Sequence, residues 1–160
     1  MKKQETEKYN ALVLSLHPKW YDMMNDKTKK YELRTYDFKS LNYPARIFIY
    51  VSKKTKHVFS GMIAASFIMY GPGRAIGFDM LTYHDMYSEL DDLLEQSGLS
   101  LFQMKEICNG KDARFIKVNE FKNLFNPVSP SSIDVKPPQG ITYLTDEQVK
   151  RIDELARIPF

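Results

Sequence analysis

Apolar residues recur along this chain in two rhythms, at every second position or every three to four, and the switches between them mark its elements. Residues 1–10 are polar and predict a flexible N-terminal arm. Ala11 to Leu16 is a short apolar run suited to a buried strand, and His17 and Pro18 stop it. Proline at a first helical position, followed by Trp20, Met23 and Met24 at helical spacing, predicts a short helix to about Asp26 with one face on the core. From Tyr31 the period is two. Tyr31, Leu33 and Thr35 alternate with Glu32, Arg34 and Tyr36, so Glu32 and Arg34 share a face of a strand.

Ala45 to Ser52 is apolar on both faces, as a central strand is, with Arg46 as the exception. Val58 to Tyr70 predicts another long strand, with Gly61 marking a bulge or sharp bend where a sheet curls. The basic linker SKKTKH between these two predicts an exposed hairpin loop able to touch a phosphate backbone. Residues 71–78, GPGRAIGF, predict a loop whose glycines lack the spacing of a dinucleotide fingerprint. Thr82, Asp85, Met86, Leu90, Leu93 and Leu94 predict a capped amphipathic helix ending near Gly98. Ser100 and Gln103 have the spacing of a capping box, with Leu101, Met104 and Ile107 as the apolar face and Gly110 as the stop. Arg114 to Phe121 returns to strand alternation. A loop rich in Pro and Ser then runs from Asn126 to Gly140, too long to dangle from a compact domain, and so expected to pack across its surface. Ile141 to Leu144 is a last strand, and Thr145 with Gln148 caps a C-terminal helix whose apolar side is Val149, Ile152, Leu155 and Ala156.

Composition adds bounds. A chain of 160 residues, 43% hydrophobic and 27% charged, suits one ordinary globular domain with a proper core. No apolar run approaches the roughly 20 residues of a membrane span, and the N-terminus lacks the apolar core of a signal peptide. With one cysteine, Cys108, no intrachain disulfide is possible, so a cytoplasmic protein is expected. The net charge of +3 hides an asymmetry: residues 27–57 hold nine Lys/Arg against two acids, and residues 79–106 one Lys against seven. Such separation favours an anionic partner at one surface, nucleic acid being the commonest, although charged faces also serve solubility alone.

Chemistry concentrates at KTKKYELRTY, residues 27–36. Lys29 has the wrong parity to join Glu32 and Arg34 on the strand, and reaches them only if the strand begins near Tyr31 with Lys29 in a preceding turn. Two cations and a carboxylate would then share a cleft. A lysine beside another cation is a candidate catalytic base or nucleophile, but a neighbouring carboxylate opposes the pKa shift this needs, so Glu32 argues against an activated Lys29. His17, His57 and His84 stand alone, which predicts no metal site, and no nucleophile elbow, P-loop or cofactor motif is present.

These residues resemble the signature of the ASCH domains, small relatives of the PUA RNA-binding fold. That signature reads Gly-x-Lys-x-x-Glu-x-Arg after a short helix. Lys29, Glu32 and Arg34 stand in register with it, and Lys27 replaces the glycine. LVLSLHPKW, RIFIYVSK and KPPQGITYL are similar to the family's first strand and helix entry, a later strand and a Pro-Gln stretch near its end, so the similarity spans about residues 11–144. The resemblance implies an α+β fold: a PUA-like small β-barrel of about five or six mostly antiparallel strands flanked by helices, here with residues 145–160 as a helix packed on the domain. It implies RNA or a nucleotide-like ligand in a cleft lined by the Lys-x-x-Glu-x-Arg motif, and no cofactor. Lys29 and Arg34 would contact phosphate or a base edge, Glu32 would accept hydrogen bonds, His17, Tyr36 or Tyr50 would offer a stacking face, and Arg46 completes the candidate ligand-binding set.

Some members are hydrolases, among them an acetylcytidine amidohydrolase and a ribonuclease. The amidohydrolase carries Thr where this chain has Glu32, and its later glutamate aligns with Gln103, for which a helix cap is the preferred role. A third expectation is a protein-interaction module using the acidic helix around Asp91 and Asp92.

Overall fold

The computed structural model describes residues 8–35, 38–77 and 88–157. Its elements run β1 (Tyr9–Leu16), α1 (Pro18–Asn25), β2 (Tyr31–Arg34), β3 (Leu41–Val51), β4 (Ile63–Met69), β5 (Arg74–Ile76), α2 (Ser88–Ser97), α3 (Leu101–Cys108), β6 (Ala113–Lys117), β7 (Asn119–Val128), a 3-10 turn (Pro130–Ile133), β8 (Ile141–Leu144) and α4 (Asp146–Ala156). Of the expected N-terminal arm, residues 1–7 lie outside the described residues, and Tyr9 and Asn10 already belong to β1.

The fold is α+β. Five strands form one sheet in the order β7-β4-β3-β1-β8, and three form another in the order β2-β6-β5. Among the described residues only the β1–β3 pair is parallel, and α1 and β2 supply its crossover. Among the described residues no strand pair joins the two sheets, so the closed barrel implied by the resemblance is replaced by two open sheets.

The central strands are buried on both faces, as their uninterrupted apolar runs predict. Leu12, Leu14, Ile47 and Ile49 enter one core with α1 and Phe67, whereas Val13, Phe48 and Tyr50 enter a second beneath α4. A third core seals the small sheet, where Leu33 and Phe115 meet Leu90, Leu94 and Met104 of α2 and α3.

The helix ends follow local chemistry. Ser100 with Gln103 and Thr145 with Gln148 form complete capping boxes, and Pro18 opens α1. Tyr21 and Met24 are the buried apolar residues of α1, with Trp20 half-buried at its flank. Thr82, Asp85 and Met86, expected to begin the second helix, lie outside the described residues.

Three expectations are corrected. The run from Val58 is not strand until Ile63: residues 58–62 turn, with Gly61 at φ +80° and Val58 84% exposed. Residues 74–76, expected as loop, form β5, and Gly73 at φ +88° lets the backbone come so near the Phe115 carbonyl that an added Cβ would lie 2.6 Å from it. The strand expected over 114–121 is two, β6 and β7, because Val118 leaves the ladder and Glu120 takes a left-handed φ of +52°. The Pro-rich loop packs across the surface as expected, burying Pro130, Ile133 and Val135.

Candidate functional site

The site begins at the end of α1. Asp26 Oδ1 accepts from the Thr28 amide at 2.9 Å and its hydroxyl at 2.6 Å, closing a tight turn. These bonds also hold the Asp26 carboxyl below its ordinary pKa. Lys27 sits in this turn at φ +69°, a conformation glycine adopts freely and lysine does not. It occupies the position where the resemblance has glycine. The turn ends with the Lys29 amide on the Met23 carbonyl (3.0 Å) and the Lys30 amide on Gln96 (2.6 Å), and β2 starts at Tyr31.

That start swings the Lys29 side chain inward to meet Glu32. Its Nζ donates to the Ser97 carbonyl at 2.7 Å, lies 3.6 Å from Glu32 Oε1 and rests 5.0 Å from the centre of the Trp20 ring. Lys29 is 2% exposed and Glu32 5%. Burial lowers the Lys29 pKa, and the attraction of Glu32 offsets that shift without cancelling it, while Arg34 adds to it. Glu32 therefore moderates the desolvation of Lys29 but does not override it, contrary to the balance expected from the sequence.

Glu32 Oε1 accepts from the Leu33 amide at 2.9 Å, and Oε2 lies 3.5 Å from Arg34 Nη2. The same Nη2 donates to the Ser15 carbonyl at 2.7 Å, tying β2 to the end of β1. Arg34 Nε is buried without a hydrogen-bond partner, so the guanidinium is not fully satisfied within the chain.

Glu32 and Arg34 line a cleft of about 420 Å³, within the usual range of small-ligand sites of about 300–1,000 Å³. Its other walls include His17, Trp20, Lys54, Ile107 and Gln139. Lys29 is not on the lining: it stands behind the carboxylate as a counter-charge. His17 reaches the lining from the N-cap of α1, where its Nδ1 accepts from the Lys19 amide at 3.1 Å.

The remaining candidates lie elsewhere. Arg46 Nη1 donates to both carboxylate oxygens of Asp153 on α4, at 3.0 and 2.8 Å, with its guanidinium 4.6 Å from the Phe48 ring centre. Tyr50 is buried in the core beneath α4, and burial raises its pKa. Tyr36 lies outside the described residues. Gln103 Oε1 accepts from the Ser100 amide at 2.9 Å, so it caps α3. Among the described residues no group of three or more His, Cys, Asp or Glu side chains gathers as metal ligands would, and no helix is long and apolar enough to cross a membrane.

The sequence reading missed Trp20, Lys54, Ile107 and Gln139 as cleft residues. Trp20 and Ile107 had been read as core faces, yet Ile107 is 47% exposed. Lys54 and Gln139 did carry a signal, one in the basic loop and one in the Pro-Gln stretch that resembles the family.

Solved structures share this fold. An ASCH protein of Zymomonas mobilis superposes with a TM-score of 0.67 over 91% of this chain and 95% of its own, at 18% identity. The chain has the ASCH fold. A substituted form of the same protein gives a TM-score of 0.68 over 93% and 98%. The N-terminal domain of Staphylothermus marinus McrB gives 0.60 over 96% and 98%, at 10% identity. No protein-family model and no curated protein matches the sequence. The ASCH likeness is therefore one of architecture, and it covers 91% of this chain.

Proposed function

We propose that this chain is an RNA- or nucleotide-binding domain whose ligand lies in the cleft over Glu32 and Arg34. The observation that carries the reading is one acceptor and one donor side by side on a cleft wall, both fixed from behind. Glu32 presents a carboxylate with lone pairs beyond those used by Leu33 and Lys29, suited to a base N–H, and Arg34 presents a guanidinium suited to a carbonyl or phosphate oxygen. Trp20 and Ile107 provide apolar surface for a ring or sugar. The ASCH fold and the basic character of residues 27–57 support the same reading.

Hydrolysis is the alternative, and Lys29 would be its nucleophile or base. Its lowered pKa suits that role, but its burial, its bond to the Ser97 carbonyl and its place behind Glu32 weigh toward binding.

The test is titration of the full chain with the four nucleoside monophosphates and a short unstructured RNA. Glu32→Gln should cost about tenfold or more in affinity, the scale of a hydrogen bond to a charged group. Because Glu32→Gln also leaves Lys29 without its carboxylate, a second variant, Gln139→Glu, places an anion on the exposed cleft wall without touching the core, and should weaken binding as well. Unchanged affinity in both folded variants would overturn the cleft reading. Turnover of acylated nucleosides or labelled RNA that disappears in Lys29→Ala would move the assignment to a hydrolase.

A further inference from the structure

The β3–β4 turn has properties that the cleft alone does not use. Lys53, Lys54, Thr55 and Lys56 are all exposed, and the segment from Ser52 to Met62 contains no acid. No carboxylate among the described residues pairs with these three lysines. Surface lysines are usually solvated and mobile, but here the backbone that carries them is stapled. Ser52 N donates to the Leu16 carbonyl at 3.0 Å and Gly61 N to Val51 at 2.7 Å. Ser60 Oγ donates to Thr55 O at 2.9 Å, and the His57 ring bridges the Phe59 amide at 3.0 Å and Asp22 at 2.9 Å. The left-handed Gly61 closes the turn. Lys54 belongs both to this turn and to the cleft wall.

We propose that the turn from Ser52 to Met62 is a phosphate-binding surface continuous with the cleft, so that the ligand is a single-stranded nucleic acid and not a free nucleotide. The proposal rests on the cleft reading above. A base over Glu32 and Arg34 places its own phosphate within the domain of Lys54, and Lys53 and Lys56 remain for the phosphates that follow. The stapled turn fixes the backbone that carries these charges before binding, which lowers part of the ordering cost of association. A duplex does not fit, because its bases are paired and stacked and the cleft takes a base from outside the stack.

The experiment compares the full chain with a Lys53→Gln/Lys54→Gln/Lys56→Gln variant, whose substitutions are exposed and should leave the fold and its melting temperature intact. The probes are a fluorescein-labelled RNA decamer of unstructured sequence, its mononucleotide and a duplex of equal length, each titrated from 50 to 300 mM NaCl. Each phosphate contact on a single strand contributes about 0.7 to the slope of log affinity against log salt, so the triple variant should lose roughly 2 from that slope. Mononucleotide binding should also weaken, but its slope should lose only about 0.7, since one phosphate reaches only Lys54.

An unchanged slope, equal affinity for decamer and mononucleotide, or equal affinity for duplex and decamer would each overturn the proposal. Glu32→Gln separates it from the reading on which it rests. Loss of mononucleotide binding in Glu32→Gln together with an unchanged slope in the triple variant leaves the cleft standing and removes the phosphate surface. A flattened slope in the triple variant with Glu32→Gln fully active keeps the phosphate surface and removes the base from the cleft.

Discussion

Arg46 and Arg34 each meet a carboxylate, and the shorter contact is the less consequential one. Arg46 lies 2.8 Å from Asp153, but both side chains are about a third exposed. Arg34 lies 3.5 Å from Glu32, and Lys29 3.6 Å, yet Glu32 is 7% exposed and Lys29 only 1% at the side chain. In water-facing pairs, solvent supplies most of what the partner would, so such pairs contribute about 0–1 kcal/mol. A buried charge has no such substitute, and removing its partner costs about 3–5 kcal/mol. Separation alone therefore ranks these two clusters in the wrong order. The buried cluster differs in a second way: one side of it opens on a cleft, so the charges that hold β2 in place are also those a ligand would meet.

The largest expected effect follows from Lys29. Lys29→Met should destabilise the chain by about 3–5 kcal/mol, read from the urea midpoint, because it leaves the Glu32 carboxylate buried with the more deeply buried of its two cations gone. Lys29→Met/Glu32→Gln, which removes both charges, should recover most of that loss. If the single variant lost under about 1 kcal/mol, the two clusters would be equivalent and the comparison would fail. The same residue fixes a pH dependence. Burial lowers the Lys29 pKa below its ordinary 10.5, so between the lowered value and 10.5 the unfolded chain holds a proton that the folded chain has released. Stability then rises with pH across that window, and the penalty for burying the charge is fully present below it. Tyr21 and Tyr50, whose pKa values burial raises above 10.0, act in the opposite sense at higher pH. Urea midpoints should therefore climb in the wild type relative to Lys29→Met as the pH is raised toward 10.5, and parallel profiles would show that Lys29 is not desolvated.

Much of this cluster was legible in the sequence, for a specific reason. Parity on a strand is a local rule, so the common face of Glu32 and Arg34, and the need for a turn to bring in Lys29, could be read from ten residues. The capping boxes at Ser100 and Thr145 were legible for the same reason. The cleft was not, because Trp20, Lys54 and Gln139 reach it from three distant segments that only tertiary packing brings together. The strand from Val58 was misjudged because a continuous apolar run has no period to show where it turns, and the break at Glu120 because a left-handed glutamate carries no mark in the sequence. The barrel was an expectation drawn from the family resemblance, and the described strands form two open sheets instead.

Between these extremes lies the turn that delivers Lys29. Lys27 holds φ +69°, where a side chain costs about 1–2 kcal/mol relative to the ordinary right-handed region. Glycine removes that strain but loses more entropy on folding, by about 0.5–1 kcal/mol. Lys27→Gly should therefore stabilise the chain by up to about 1 kcal/mol, one of the few exposed positions where glycine would help. A drop in thermal midpoint would show that the turn is not strained, and that Lys29 is placed by Ser97 and Glu32 alone.

The smallest effect belongs to the pair with the best distance. Asp153→Asn should cost no more than about 1 kcal/mol, because the Arg46 guanidinium keeps its position over the Phe48 ring and regains water on its open side. The loss should also shrink between 0.1 and 1 M NaCl, since added salt screens an exposed pair, whereas the Lys29 penalty should hardly move. Ligand affinity should be unaffected, because Arg46 faces α4 and not the cleft. Weaker nucleotide binding in Asp153→Asn would return Arg46 to the site where the sequence had placed it, and would mean that the ligand extends around the edge of the five-stranded sheet to reach it.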